Sequence, residues 1–194
     1  GTPCIGFEPV AADRKQICCS RSFAQNCSDA DAVASALAVH AAQAARRLRQ
    51  QHCRALAVSV FVLSNTFNPR QKQHVIHATT VFKYATADTA RITHAACEMM
   101  RARFVRGVGY KKAGIILSEL VPEGTPEPLD LFDTPSPEQE RREKLMQVLD
   151  SLTSRYGVSP LTTAVSTLSS GAAMRRERLS RCYTTRIADV LTAN

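Results

Sequence analysis

Hydroxyl and ammonium side chains fall at alternate positions in three extended-looking stretches of this chain. Ser20 and Ser22 lie in Lys15 to Phe23, Thr79 and Lys83 in His74 to Lys83, and Lys112 in Tyr110 to Leu117. Successive side chains of a strand point to opposite faces, so each set shares one face of its strand. Such groups suit phosphate oxygens, which accept hydrogen bonds from Lys, Ser and Thr without regard to base sequence. A solvated polar face of a half-exposed antiparallel sheet has the same composition, so pattern alone leaves both readings open. Other chemistry finds no arrangement of residues. No Ser/His/Asp or Cys/His set, phosphate loop or paired carboxylate site stands out, and His40, His52, His74, His77 and His94 have no ligand spacing. The seven cysteines, at 4, 18, 19, 27, 53, 97 and 182, form no CxxC pair and no zinc pattern.

These groups need elements to position them. Asp29 opens a helix to about Gln50, with Val33, Leu37, Ala41, Ala44 and Leu48 as its apolar stripe and Arg46, Arg47 and Arg49 on the other face. From Ala55, the run ALAVSVFVLS alternates, with Leu56, Val58, Val60 and Val62 inward. In His74 to Lys83, Ile76, Ala78, Thr80 and Phe82 form the more apolar face. Asp88 caps a second helix to about Phe104, with Ile92, Ala96, Met99 and Met100 inward. In the last strand Ala113, Ile115 and Leu117 face one way, and Tyr110, Lys112 and Gly114 the other. The order β-α-β-β-α-β predicts an α+β fold: a four-stranded antiparallel sheet with two helices on one face. The other face is then open, and sheet twist brings the neighbours Lys15, Arg21 and Lys111 within reach of it.

Charge divides the chain in the same places. Residues 1–120 carry +9, 121–150 carry −5 and 151–194 carry +4, within a total of +8 over 194 residues. A basic body is the electrostatic footprint of a phosphate binder, although basic proteins also bind acidic proteins and membranes. Five of the nine prolines fall between 121 and 137, which reads as a linker. Within it Leu129, Leu131 and Phe132 are apolar groups without a local core, able to anchor an extended peptide in a groove or to fold back on the sheet. Ser136 and Pro137 then open a helix with a stripe of Leu145, Val148, Leu149, Leu152 and Tyr156, ended by Gly157. The remainder, Val158 to Asn194, is weakly periodic and reads as a mostly irregular tail. No apolar run approaches a membrane span and no secretory signal is visible, so a cytoplasmic protein with reduced thiols is expected. Gly1 is no natural start, which reads as an excised fragment.

Four stretches carry a resemblance. GTPC with KQICCSRSF resembles the passage from thumb to little finger in Y-family DNA polymerases of the UmuC branch, GYKKAGIIL the last little-finger strand, and PLDLFD a sliding-clamp peptide. MRRERLSRCYTTR resembles a short C-terminal domain particular to that branch. The resemblance implies residues 1–13 as the end of the thumb, 14–120 as a DNA-binding little finger, 121–137 as a linker with a clamp-binding peptide at Leu129, Asp130, Leu131 and Phe132, and 138–194 as the C-terminal domain. Pro128 stands where that peptide usually has Gln, and Arg181-Cys182 where the tail usually has Pro-Arg. The family implies translesion synthesis in the SOS response, with DNA, the clamp, a UmuD′-type accessory dimer and RecA as partners. It places the catalytic carboxylates and their magnesium in a palm domain upstream, with no cofactor in this fragment. The expected DNA contacts are Lys15, Ser20, Arg21, Ser22, Thr79, Lys83, Lys111 and Lys112. The competing readings are a basic protein-interaction adaptor with weak DNA contact, and an independent enzyme of ferredoxin-like topology.

Overall fold

The computed structural model describes residues 15–126, 137–157, 161–167, 182, 183 and 186. Its elements are β1 (Ile17–Cys27), α1 (Ala30–Gln50), β2 (Cys53–Ser64), β3 (Val75–Thr86), α2 (Thr89–Arg101), β4 (Tyr110–Pro122) and α3 (Pro137–Tyr156), followed by a 3₁₀ turn at Ala164–Thr167. The predicted β-α-β-β-α-β order is present, and the four strands form one antiparallel sheet in the order β1-β4-β2-β3.

Local chemistry accounts for the helix starts. Asp29 caps α1, its carboxylate accepting from the backbone N–H groups of Asp31 and Ala32 at 3.4 and 3.0 Å. Asp88 does the same for α2 through Ala90 N–H at 2.7 Å. These bonds satisfy donors that the first helical turn cannot satisfy internally. The whole predicted stripe of α1, from Val33 to Leu48, is fully buried, as are Ile92, Ala96 and Met100 of α2. Both stripes enter one core with Ile17, Phe23, Val58, Val60, Val62, Ile115 and Leu117. That places both helices on one side of the sheet.

Three expectations fail locally, each for a physical reason. Tyr110 is fully buried instead of facing outward, packing on Phe104 with ring centroids 5.2 Å apart. The cause is a break in register: Leu63 pairs with Lys112 but Ser64 with Tyr110, so β4 gains a residue and its first side chain turns inward. Leu56 is only half-buried and Ala55 takes its place in the core. Between the pairs Ala55–Leu120 and Ala57–Ser118, Glu119 has φ of 53° and so breaks the alternation of β4, returning Leu120 to the core side. On α3, Leu145, Val148 and Tyr156 are exposed, whereas Met146 and Thr153 are buried and Leu149 and Asp150 half-buried. The spacing 146, 149, 150, 153 is still one helical face, turned by about a residue from the apolar one. Gly157 ends α3 as expected, at φ of 82°, its N–H donating to Thr153 O at 3.0 Å.

α3 is held to the body by charge. Arg49 donates from Nε and Nη2 to the two carboxylate oxygens of Asp150 at 2.6 and 2.8 Å, and from Nη1 to Ala87 O and Thr89 Oγ1 at 2.8 and 3.1 Å. Arg142 bridges Asp88 and Glu138. The 3₁₀ turn docks on α1, where Ser35 Oγ donates to Ser166 O at 2.8 Å.

Candidate nucleic-acid interface

The side chains pointing away from the helices form rows across all four strands. One row reads Ser20, Gly114, Phe61, His77; its neighbours read Cys18, Ile116, Ser59, Thr79 and Ser22, Lys112, Leu63, Val75. Lys83 follows Val81 further along β3. Ser20, Ser22, Thr79, Lys83 and Lys112 are therefore brought onto one face, and none of the positions in these rows is a carboxylate. More widely, no Asp or Glu occurs between Asp31 and Asp88, a span with seven Lys and Arg residues.

The middle of the face is kept flat by Gly114. A Cβ there would overlap the Phe61 ring and the Ser20 Cβ, so any side chain displaces one of them. Phe61 lies across this gap with Lys112 Nζ 5.8 Å from its ring centroid, a cation–π contact that holds the ammonium at the surface. Ser59 and Thr79 share a hydrogen bond at 2.8 Å. Lys83 Nζ lies 5.1 Å from the Tyr84 ring centroid. Phe61, Ser59 and His77 lie on this face too, although the sequence does not single them out. Their strand parity was legible, but the significance of Phe61 depends on a glycine brought opposite it by register.

The neighbouring cations sit differently. Arg21 shares the parity of Ile17, Cys19 and Phe23, so it belongs to the helix side of the edge strand β1. There its charge acts on His40 of α1. Burial first, and Arg21 second, push the imidazole down to about 4, so it is neutral at pH 7. Lys111 is occupied: its Nζ donates to Phe23 O at 2.8 Å and Ala24 O at 3.3 Å. Those carbonyls lie where β1 leaves its register with β4, between Ser22 and Cys27, so Lys111 fills an irregular edge and does not extend the open face. Lys15 is exposed just before β1.

A cleft of about 350 Å³ opens between α3 and the body, bordered by Arg49, Arg91 and Arg142 and by Asp88, Glu123 and Glu138. Within it Arg142 pairs with Asp88 and Glu138, while Arg49 turns to Asp150 and Glu123 to His52. Among the described residues no cluster of His, Cys, Asp and Glu could hold a metal ion, and no helix is long and apolar enough to cross a membrane. Leu129, Asp130, Leu131 and Phe132 lie outside the described residues, as does most of the tail.

Residues 14–131, the sheet domain together with the start of the linker, match the impB/mucB/samB family C-terminal domain. The chain belongs to the impB/mucB/samB family. A second match, to a domain of unknown function (DUF4113), covers residues 143–193 of this family member. UmuC of Salmonella typhimurium is 34% identical over 191 residues, covering 98% of this chain and 45% of the relative. SamB of Salmonella typhimurium is 36% identical over 195 residues, covering 100% and 45%. The impB/mucB/samB chain thus spans a little under half the length of these relatives. A distant likeness in solved structures is to the little finger domain of PolIV in complex with the beta-clamp processivity factor, at 14% identity and a TM-score of 0.43, covering 61% of this chain and 99% of that one.

Proposed function

We propose that this chain is the DNA-gripping and clamp-docking C-terminal portion of an error-prone translesion DNA polymerase acting in SOS repair. The observation that carries the reading is the open sheet face, which presents Lys83, Lys112 and a set of hydroxyls with no carboxylate among them. Hydroxyls and ammonium groups grip phosphates, and the face offers hardly any Asn, Gln or Arg for bidentate contacts to base edges, so the binding is independent of sequence. Leu129, Leu131 and Phe132 supply the clamp anchors, and tethering through them raises the local concentration of a weakly DNA-binding sheet domain. A UmuD′-type dimer and RecA go with the same reading as partners, and magnesium-dependent chemistry would belong to the palm domain of such a polymerase.

The test has two arms. The chain should bind unrelated duplexes with equal affinity, weakening steeply with salt. Changing Leu131 and Phe132 together to Ala should abolish clamp binding in calorimetry, at a cost of about 2 kcal/mol or more, and leave DNA affinity unchanged. A parent chain that binds no duplex at low salt favours a protein-interaction adaptor. A double variant that holds the clamp as well as the parent removes the clamp assignment.

A further inference from the structure

We infer that the β2–β3 loop is a second nucleic-acid contact, in which the Phe67 ring stacks on an unpaired base of single-stranded DNA; this deepens the DNA-binding reading above and rests on it in part. Phe67 is 94% exposed. A single exposed apolar side chain is ordinary at a protein surface. The construction of the loop beneath it is not ordinary. The side chain of Gln73 lies at its centre, donating from Nε2 toward the carbonyls of Asn65, Asn68 and Gln71 at 3.0, 2.9 and 3.1 Å and accepting at Oε1 from Ser64 Oγ at 2.8 Å. Asn65 Oδ1 accepts from Phe67 N–H at 3.2 Å, and Asn68 Oδ1 from Arg70 N–H at 3.1 Å. The loop is fastened to its surroundings through Gln71, which accepts from Asn26 Nδ2 at 3.0 Å and donates to Gly109 O at 2.8 Å. The ring is thus presented by a loop already folded, so little ordering entropy is lost when a partner arrives.

Charge and chemistry name the partner. Arg70 and Lys72 are exposed in the same loop, within the span that contains no Asp or Glu. An aromatic ring among cations matches nucleic acid, the ring for a base and the cations for its phosphates. Duplex DNA hides its base faces in the stack, so a ring can cover one only where bases are unpaired. The loop follows Ser64 and precedes Val75, beyond the row of Ser22 and Lys112, at one end of the open face. A strand leaving a duplex held on that face would pass this end. The structure therefore fits a junction between duplex and single strand, with the paired part on the sheet and an unpaired base at Phe67.

The chain contains no tryptophan, so Phe67→Trp introduces a single tryptophan at the point in question, excitable selectively over the four tyrosines. Adding oligothymidine to the full chain carrying Phe67→Trp should quench the emission, and a blunt duplex should not. Phe67→Ala, at a site too exposed to disturb folding, should bind oligothymidine about tenfold more weakly, within the range measured for loss of one stacked base. Its affinity for the blunt duplex should stay within about twofold of the parent. Unquenched emission at saturating oligothymidine, equal quenching by blunt duplex, or parental oligothymidine affinity in Phe67→Ala overturns the inference. The parent's binding to blunt duplex reports separately on the open face. Quenching by oligothymidine without duplex binding would sink the sheet-face reading and leave the Phe67 contact standing.

Discussion

Arg49 and Asp150 meet through two parallel hydrogen bonds, at 2.6 and 2.8 Å, and so join a helix of the sheet domain to a helix most of which falls within the second domain match. Bidentate guanidinium–carboxylate pairs fix geometry as well as contributing energy. Both side chains are largely withdrawn from water, at 16% and 33% exposure, so the pair is less screened than a surface ion pair. Asp150→Asn keeps the shape and removes the charge. It should lower stability by about 2 kcal/mol, the range for a hydrogen bond to a charged group, and speed hydrogen exchange in α3 before the sheet. Uniform exchange across both helices would show that α3 is held by something else.

Lys111 and Lys112 are neighbours with opposite roles. Lys112→Ala should reduce the salt slope of duplex binding by about 0.9, the loss of one phosphate contact, and change stability little. Lys111→Ala removes the donor to Phe23 O and Ala24 O, so it should lower stability by about 1.5 to 3 kcal/mol and leave the salt slope as it was. Salt titrations and denaturant melts on the two single variants separate these outcomes. A reduced slope in Lys111→Ala alone would reverse the assignment.

Gly114→Ala should destabilise by about 1 to 3 kcal/mol through overpacking against Phe61 and Ser20. Because the Phe61 ring must move, Lys112 loses its cation–π support and duplex affinity should fall as well. An alanine accepted without cost in urea would mean that the face has room in the middle.

His40 gives the fold a defined acid response. It is 6% exposed, and its folded value of about 4 lies below the ordinary 6.5, so between those limits the unfolded chain binds more protons than the folded one. Stability from this group is complete above pH 6.5 and is lost as pH falls toward 4, by about 3 kcal/mol in all. His40→Leu should flatten that part of the stability–pH profile. A profile of the parent already flat from pH 6.5 to 4 would refute the shift.

Most of the architecture was legible because two signals agreed. The three-and-four spacing of Val33, Leu37, Ala41, Ala44 and Leu48 and the Asp caps defined the helices, and alternation in VSVFV and HATTVFK defined strands and faces. Tyr110 and Leu56 escaped because a bulge or a left-handed residue resets the alternation, and neither Lys111 nor Glu119 has a composition that announces it. The buried face of α3 was hidden for another reason. Its contact with the body depends on Asp150 meeting an arginine from a distant part of the chain, whereas apolar spacing responds only to Leu145 and Val148. Arg49 looked like one more cation on a basic helix, although its donors are committed to Asp150, Ala87 and Thr89.

The strand order has a consequence for how the chain is made. Among the described residues β1 pairs only with β4, and β4 also separates it from β2. As the chain leaves the ribosome, α1 and the β2–β3 hairpin can form early, but the first strand has no partner until residues 110–122 emerge. Until then the apolar side of β1, with Ile17, Cys19 and Phe23, has no completed sheet to enter. Closure of the sheet is therefore a late, long-range step, and long-range strand pairing is slow. A nascent chain stalled before Tyr110 would expose an unpaired strand, the kind of surface that chaperones exist to cover.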